Sequence, residues 1–109
     1  MDQPSTSNRR RHVRYPLATT VQFYHGPSRR EYPARSVDIS HGGMLMYVPA
    51  SVPVSRGQPI RLTVGSTPRP ELAGLGNKPL DGTIVRVDRQ KMLQLGHVPV
   101  GIRFAVAQA

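Results

Sequence analysis

EYPARSVDISHGGMLMYV, residues 31–48, is the stretch from which the fold can be worked out. Two segments that contain most of its apolar residues, 31–39 and 44–48, are separated by SHGG at residues 40–43, whose small and polar side chains are typical of a turn. Strands that are joined by a short turn pair antiparallel. The stretch therefore predicts a β-hairpin.

Alternation within the first segment predicts which side chains face the core. Val37 and Ile39 alternate with Ser36 and Asp38, which is the period-two pattern of a strand buried on one face. Val37 and Ile39 are expected to face inward. Asp38 should then point away from the core at the end of its strand.

Further strands are predicted on both sides of this hairpin. Alternation begins near residues 15–16 and continues to a turn at residues 25–28, and it returns in segments 58–64, 82–88 and 93–106. The side chains expected to share inward faces are Leu17, Thr19, Val21, Phe23, Ile60, Leu62, Val64, Val98, Val100, Ile102, Phe104 and Val106. Residues 65–80 carry three prolines and three glycines, and they are predicted to form a long exposed loop.

Length and composition place these strands in one all-β domain. The chain has 109 residues, enough for a single core, and its 11 Pro and 10 Gly suit a turn-rich fold of about six antiparallel strands. Closing so small a sheet into a barrel removes its exposed edges. We expect a domain over residues 9–106, a disordered tail at 1–8 and a short tail at 107–109.

Cysteine usage and hydropathy exclude several classes of protein. No cysteine is present, so disulfides and thiolate sites are excluded. No apolar run is long enough to span a membrane, and the N-terminus MDQPSTSNRRRHVR lacks the apolar middle of a signal peptide. We expect a soluble cytoplasmic protein that does not insert into a membrane.

The charge balance points to an anionic partner. Lys and Arg number 15 against 6 Asp and Glu, which gives a formal charge of +9. All but two of the basic residues, Lys78 and Lys91, are arginines. The guanidinium fork binds phosphate and guanine edges with two parallel hydrogen bonds, which the ammonium of lysine does not do.

No pattern in the chain supports catalysis or a metal. The four histidines lie in a tail, in turns and in a loop, without the spacing of a metal site. Asp38, Ser40 and His41 are too close along one tight turn to align as base, nucleophile and orienting carboxylate. We expect a protein that is not an enzyme and holds no metal and no cofactor.

Two short motifs carry the positive signals for ligand binding. Arg10 and Arg14 are four residues apart and lie on one side of an extended segment. Asp38 is a hydrogen-bond acceptor that matches the two adjacent donors of guanine, N1–H and N2–H. Taken alone, the first motif is also explained by a solvated basic tail and the second by a β-turn. Taken together, they suggest a guanine nucleotide with phosphates.

The order R-x-x-x-R (Arg10, Arg14) and then D-x-S-x-x-G (Asp38, Ser40, Gly43) resembles the PilZ domain, the bacterial receptor for cyclic di-GMP. VGIRF at residues 100–104 is similar to that family's closing strand, and the resemblance covers residues 9–106. It implies a six-stranded antiparallel β-barrel. A flexible N-terminal arginine segment would fold over cyclic di-GMP on the outer surface. This chain has little or no C-terminal helix after the closing strand, which would leave the barrel end open or covered by another molecule.

The resemblance also implies roles for individual residues. Arg10 and Arg14 would hold phosphates and Hoogsteen edges, and Asp38 and Ser40 would read a guanine. Gly43 would permit close approach to the ligand or a positive φ. Arg9 would stack on a guanine of an intercalated ligand dimer. The ligand contacts implied are Arg9, Arg10, Arg14, Asp38, Ser40 and Gly43, with Arg11, His12, Gly42 and Arg103 as additional candidates. Arg35 and Arg103 could line the pocket, but ordinary strand-surface charge is the preferred explanation for both.

Three functions are consistent with these residues. The first is a ligand sensor, monomeric or dimerising with the ligand, whose N-terminal segment becomes ordered on binding and creates a surface for a downstream protein. The second is a small basic barrel that binds RNA or single-stranded DNA. The expected burial of Phe23 and Phe104 disfavours it, because such surfaces stack bases on exposed aromatic rings. The third is an adaptor that has lost the ligand, which the intact motifs disfavour.

Overall fold

The fold is all-β in a computed structural model that describes residues 13–65, 67, 69–91 and 96–106. The two predicted tails and the candidate residues Arg9, Arg10, Arg11 and His12 lie outside the described residues. The strands are β1 (Tyr15–Pro16), β2 (Thr20–His25), β3 (Arg30–Ile39), β4 (Gly43–Pro49), β5 (Pro59–Val64), β6 (Pro79–Val87) and β7 (His97–Phe104). Short 3-10 turns occupy Gly26–Ser28, Pro70–Leu72 and Arg89–Lys91. Over the described part of the chain, no helix has the length and apolarity to cross a membrane.

Six of the strands close into an antiparallel barrel, as the sequence predicts. The ring runs β2-β5-β6-β7-β4-β3, and it closes because β3 pairs with both β2 and β4. β1 is an extra strand on the last two residues of β3. The predicted first strand is therefore broken in two, with residues 17–19 between the pieces.

Alternating apolar side chains fill the barrel. In β2 the inward residues are Val21 and Phe23, both fully buried. β5 and β7 show the same pattern, with Ile60, Leu62, Val64, Val98, Val100, Ile102 and Phe104 inside. The expectation for Val106 is wrong. It is 72% exposed, because β7 ends at Phe104 and the amide of Ala105 instead donates to the carbonyl of Asp81 at 2.8 Å.

A buried serine holds the break between β1 and β2 against β3. The Ser36 hydroxyl donates to the Leu17 carbonyl and accepts from the Thr19 amide at 2.9 Å. The Ser36 amide donates to the Thr19 carbonyl at 2.9 Å, and the Leu17 amide donates to the Val37 carbonyl at 3.0 Å. These bonds take the place of the regular ladder. Residues 17–19 are thereby fixed along β3.

A β-bulge in β3 changes the predicted inward face. The pairing of β3 with β4 shifts between Ser36 and Asp38, so Val37 is the extra residue. Ser36 and Ile39 are buried, whereas Val37 is only half-buried. The expectation that Val37 and Ile39 share the inward face is wrong, because the inserted residue reverses the parity. Asp38 does point away from the core, as expected.

The segment predicted as an exposed loop covers one end of the barrel. Its residues 69–78, called the cap here, cross the end at which β3 and β5 finish. Leu72 and Leu75 are fully buried in the core, and the Asn77 amide donates to the Val64 carbonyl at 2.8 Å. The burial of these two leucines could not be predicted from the sequence, because a segment rich in proline and glycine shows no strand or helix periodicity. The expectation of a barrel end left open or covered by another molecule is corrected, because the chain covers this end itself.

A buried histidine at the end of β2 joins three elements. His25, placed by the sequence in a turn, is fully buried. One ring nitrogen, Nδ1, is 2.7 Å from the Ser28 hydroxyl, and Nε2 is 2.8 Å from Gln58 Oε1. The Tyr32 hydroxyl donates to the Ser28 hydroxyl at 3.1 Å. Nε2 is the donor in its bond to Gln58, because the amide oxygen only accepts.

His25→Ala is expected to lower the free energy of unfolding by about 2–4 kcal/mol, since it opens a cavity and leaves buried polar partners unsatisfied. Urea unfolding monitored by circular dichroism measures this. The control is Gln22→Ala on the exposed face of the same strand, which should change the stability by about 0.5 kcal/mol or less. Equal effects for the two variants would contradict a structural role of the His25 network.

Candidate functional site

The two sequence motifs meet at an ion pair on the outer surface. β1 pairs antiparallel with the end of β3, so Pro16 lies opposite Asp38. Arg14 precedes β1 by one residue, and its Nη1 donates to Asp38 Oδ1 at 2.6 Å. The pairing of two residues per strand is enough to set this contact. The second arginine of R-x-x-x-R and the acid of D-x-S-x-x-G therefore form one site, while Arg10 lies outside the described residues.

This ion pair is partly open to solvent. The side chain of Arg14 is 38% exposed and that of Asp38 is 25% exposed. Pairs of this kind contribute about 0–1 kcal/mol, because water competes for both charges. A ligand that offers a phosphate to the arginine and guanine donors to the acid can therefore replace it.

Ser40 holds the turn that follows Asp38. Its hydroxyl accepts from the amides of Gly42 at 3.1 Å and Gly43 at 3.2 Å, and its own amide donates to the Gly43 carbonyl at 2.8 Å. Ser40 is 5% exposed. These bonds give Ser40 a structural role beside Asp38. A direct contact of Ser40 or Gly42 with a ligand stays a prediction.

Gly43 is required by the barrel itself. A Cβ at this position would overlap the carbonyl oxygen of Ile102 and lie 3.3 Å from the Cα of Arg103. Positive φ occurs among the described glycines at Gly57 and Gly96 and not at Gly43, so the expectation of a positive φ is wrong. The close approach that the glycine permits is that of β7. It keeps the start of β4, and with it the turn after Asp38, against the barrel.

The ion pair borders a groove of about 190 Å³ on the outer face of the barrel. The groove crosses β3, β4, β7 and β6, and its lining residues are Arg14, Asp38, Met44, Leu45, Val85, Arg86, Gly101 and Ile102. The sequence did not indicate that Leu45, Val85, Arg86 and Gly101 line this groove. They come from three different strands, so only the register of the sheet brings them beside Asp38.

Two further arginines were considered from the sequence. Arg103 is exposed in β7, two residues from Gly101 on the same face, and lies opposite Gly43. Arg35 is exposed in β3 opposite Tyr47. Neither lines the groove beside Asp38. A ligand contact of Arg103 remains a prediction.

The cap contacts the residues that flank both motifs. A ring nitrogen of His41, Nε2, donates to the carbonyl of Glu71 at 2.9 Å. The guanidinium carbon of Arg69 lies 5.5 Å from the centre of the Tyr15 ring, which is a cation–π contact. Tyr15 follows Arg14 directly, and His41 belongs to the turn after Asp38. The cap therefore supports the N-terminal segment and the turn from the same end of the barrel.

Comparison with known proteins agrees with this architecture. The PilZ domain of YcgR from Escherichia coli, solved with cyclic di-GMP, matches with a TM-score of 0.64 and 20% identity over 89% of this chain and 78% of that one. The inhibitor of motility MotI (DgrA) from Bacillus subtilis matches with a TM-score of 0.68 and 17% identity over 93% of this chain. This chain spans only 44% of that protein. No curated protein sequence matches.

The sequence match is to a family rather than to an individual protein. A family model described as the PilZ domain covers residues 8–108. That range includes both motifs, the closed barrel and the closing strand. The chain belongs to the PilZ domain family.

Proposed function

We propose that the protein is a non-catalytic receptor for cyclic di-GMP, which binds on the outer face of the barrel between the N-terminal arginine segment and Asp38. The observation that carries this proposal is the Arg14–Asp38 ion pair of 2.6 Å. It joins a cation and an acid that belong to different motifs. The E. coli PilZ domain with a similar fold was solved with this ligand.

Each charged group has a matching partner in the ligand. The Asp38 carboxylate accepts from N1–H and N2–H of one guanine, which adenine cannot supply at the same edge. Arg14 offers a planar fork that fits a phosphate or the O6 and N7 atoms of guanine. Arg10 and Arg9 supply the same chemistry from the preceding residues. Ser40 and Gly43 act beside them by fixing the turn that carries Asp38.

Binding replaces the ion pair by exchange. Asp38 uses Oδ1 for Arg14, whereas a guanine needs both carboxylate oxygens. The ligand therefore takes over Asp38, and Arg14 transfers to a phosphate. Hydrogen bonds to charged groups contribute about 1.5–3 kcal/mol each, more than the partly exposed pair that is lost. The exchange favours the bound state without any rearrangement of the barrel.

The output of binding is ordering of the N-terminal segment over the ligand. Fixing a residue opposes binding by about 1–2 kcal/mol, so several ligand contacts are needed to order residues 9–13. The ordered segment and the ligand then present a new surface to a downstream protein. The inhibitor of motility that shares the fold fits an output through protein contacts.

Arg14→Ala and Asp38→Ala are each expected to weaken binding of cyclic di-GMP by at least about tenfold, because each removes a charge-assisted contact and tenfold corresponds to 1.4 kcal/mol. Isothermal titration calorimetry measures this, with GTP and cyclic di-AMP as comparison ligands. Arg30→Ala is the control. It removes the same charge from the exposed opposite end of β3, roughly 26 Å from Asp38 at 3.3 Å per residue.

Absence of saturable binding at tens of micromolar cyclic di-GMP would contradict the receptor function. The same titration with a random single-stranded oligonucleotide tests the nucleic-acid alternative. Tight, salt-sensitive binding of that strand without preference for the cyclic dinucleotide would favour the alternative instead. A molecular mass measured by light scattering with and without ligand shows whether the dimer forms.

Ligand-induced ordering predicts slower amide exchange in residues 9–14 when cyclic di-GMP is bound. The physical reason is that amides held against a ligand open less often to solvent. Hydrogen–deuterium exchange with mass spectrometry measures this, and residues 2–7 of the same chain serve as the internal control. Saturable binding without any change over residues 9–14 would contradict this output while leaving the receptor function intact.

A further inference from the structure

A straight row of residues crosses four strands of the outer face, beginning at Asp38. In the register of the sheet Asp38 lies opposite Leu45, Leu45 opposite Gly101, and Gly101 opposite Arg86. Neighbouring strands are about 4.8 Å apart, so the backbone at Asp38 and at Arg86 is separated by about 14 Å. One acid and one base thus mark the two ends of the groove, and the sequence motifs identify only the acid.

Matching β-bulges turn both end residues outward. The register of β6 shifts between Ile84 and Arg86, so Val85 is the extra residue, as Val37 is in β3. Ile84 is buried and Arg86 is exposed. Without the insertion, Arg86 would share the inward parity of Ile84. The barrel therefore interrupts two strands to place charged side chains on the same surface.

Gly101 is not required by the fold, unlike Gly43. A Cβ at position 101 would lie 3.5 Å from the Cβ of Arg86 and 3.8 Å from Cγ2 of Val85, which are ordinary contacts. Its φ is not positive either. Glycine weakens the interior of a strand, so its presence here calls for another reason. What it provides is an uncovered floor between Leu45 and Arg86.

Arg86 has no hydrogen-bond or ion-pair partner for its guanidinium among the described residues, a state it shares with Arg30, Arg35 and Arg103 but not with one arginine of β5 and one after β6. Arg61 is bonded to Asp81, and Arg89 donates to carbonyls of residues 50–54. Arg86 instead borders a floor made by Leu45, Val85 and the bare backbone of Gly101. An unpaired cation beside two apolar side chains and bare glycine backbone suits a group that is both planar and anionic.

We propose that Gly101 and Arg86 form the far half of the ligand site. A nucleobase lies on the floor over Gly101, between the side chains of Leu45 and Val85, and Arg86 binds the adjoining phosphate. The inference rests on the proposed function for the identity of the ligand. The arrangement itself fits a guanine nucleotide that reaches from Asp38 across the row.

A series of variants tests this site by calorimetry with cyclic di-GMP. Arg86→Ala is expected to weaken binding about tenfold, the loss of one charge-assisted contact. Gly101→Val is expected to weaken it by at least about tenfold because the side chain fills the floor, and Gly101→Ala should fall between Gly101→Val and the unsubstituted protein. The melting temperature of Gly101→Val should equal or exceed that of the unsubstituted protein, since valine favours strands.

Two controls separate binding from folding. Arg30→Ala removes an equal charge away from the groove and should bind as the unsubstituted protein does. Gly43→Val should lower the melting temperature, because its side chain meets the Ile102 carbonyl. Unchanged affinity in both Arg86→Ala and Gly101→Val would overturn the proposal. A melting temperature of Gly101→Val as low as that of Gly43→Val would also overturn it, since Gly101 would then serve the fold.

An NMR titration distinguishes failure of this inference from failure of the receptor function. The backbone amides of Leu45, Gly101 and Arg86 are followed with cyclic di-GMP, GTP and the linear guanosine dinucleotide. If the protein does not bind cyclic di-GMP, the receptor function is contradicted. Chemical-shift changes at these amides with GTP or with the linear guanosine dinucleotide would still support the row as a nucleotide site. If the chemical shifts of these three amides do not change with any of the three ligands, the proposal that Gly101 and Arg86 belong to the ligand site is overturned.

Discussion

The β-bulge at Val37 is the constraint on which the site depends. A regular strand would have to place Ser36 and Asp38 on the same face. The bulge lets Ser36 point into the barrel, where its hydroxyl bonds Leu17 and Thr19, while Asp38 points out to meet Arg14. One inserted residue thus fixes residues 17–19 from the inside and presents the acid on the outside. The anchoring by Ser36 and the outward position of Asp38 are coupled, because both residues belong to β3.

The residues of the second motif differ in their surroundings, since one faces the groove and two support the fold. Asp38 has a partly exposed carboxylate, whereas Ser40 closes the turn and Gly43 allows the close approach of β7. The cap adds to this by bonding His41 and stacking Arg69 on Tyr15. The turn behind Asp38 thus keeps the acid in place on the outer surface.

The charges of the barrel are arranged unequally around its surface. Arg61 and Asp81 pair across β5 and β6 through two hydrogen bonds, which together with the charge of Arg61 lower the pKa of the Asp81 carboxyl below its usual value. In the groove, Asp38 is the acid among the lining residues, beside Arg14 and Arg86. The formal charge of +9 over the whole chain favours the approach of an anion to the protein.

The sequence by itself determined the all-β class, most of the inward faces, the outward position of Asp38 and the two motifs, because strand periodicity and residue chemistry are local properties. It failed at Val37, at Val106 and in the cap, where a bulge, a strand end and a segment without a period leave no local pattern. Only the tertiary structure decided that Ser40 and Gly43 support the fold and that Leu45, Gly101 and Arg86 continue the row from Asp38. The physical reason is that cross-strand neighbours are set by register, and one bulge moves every later pairing by a residue.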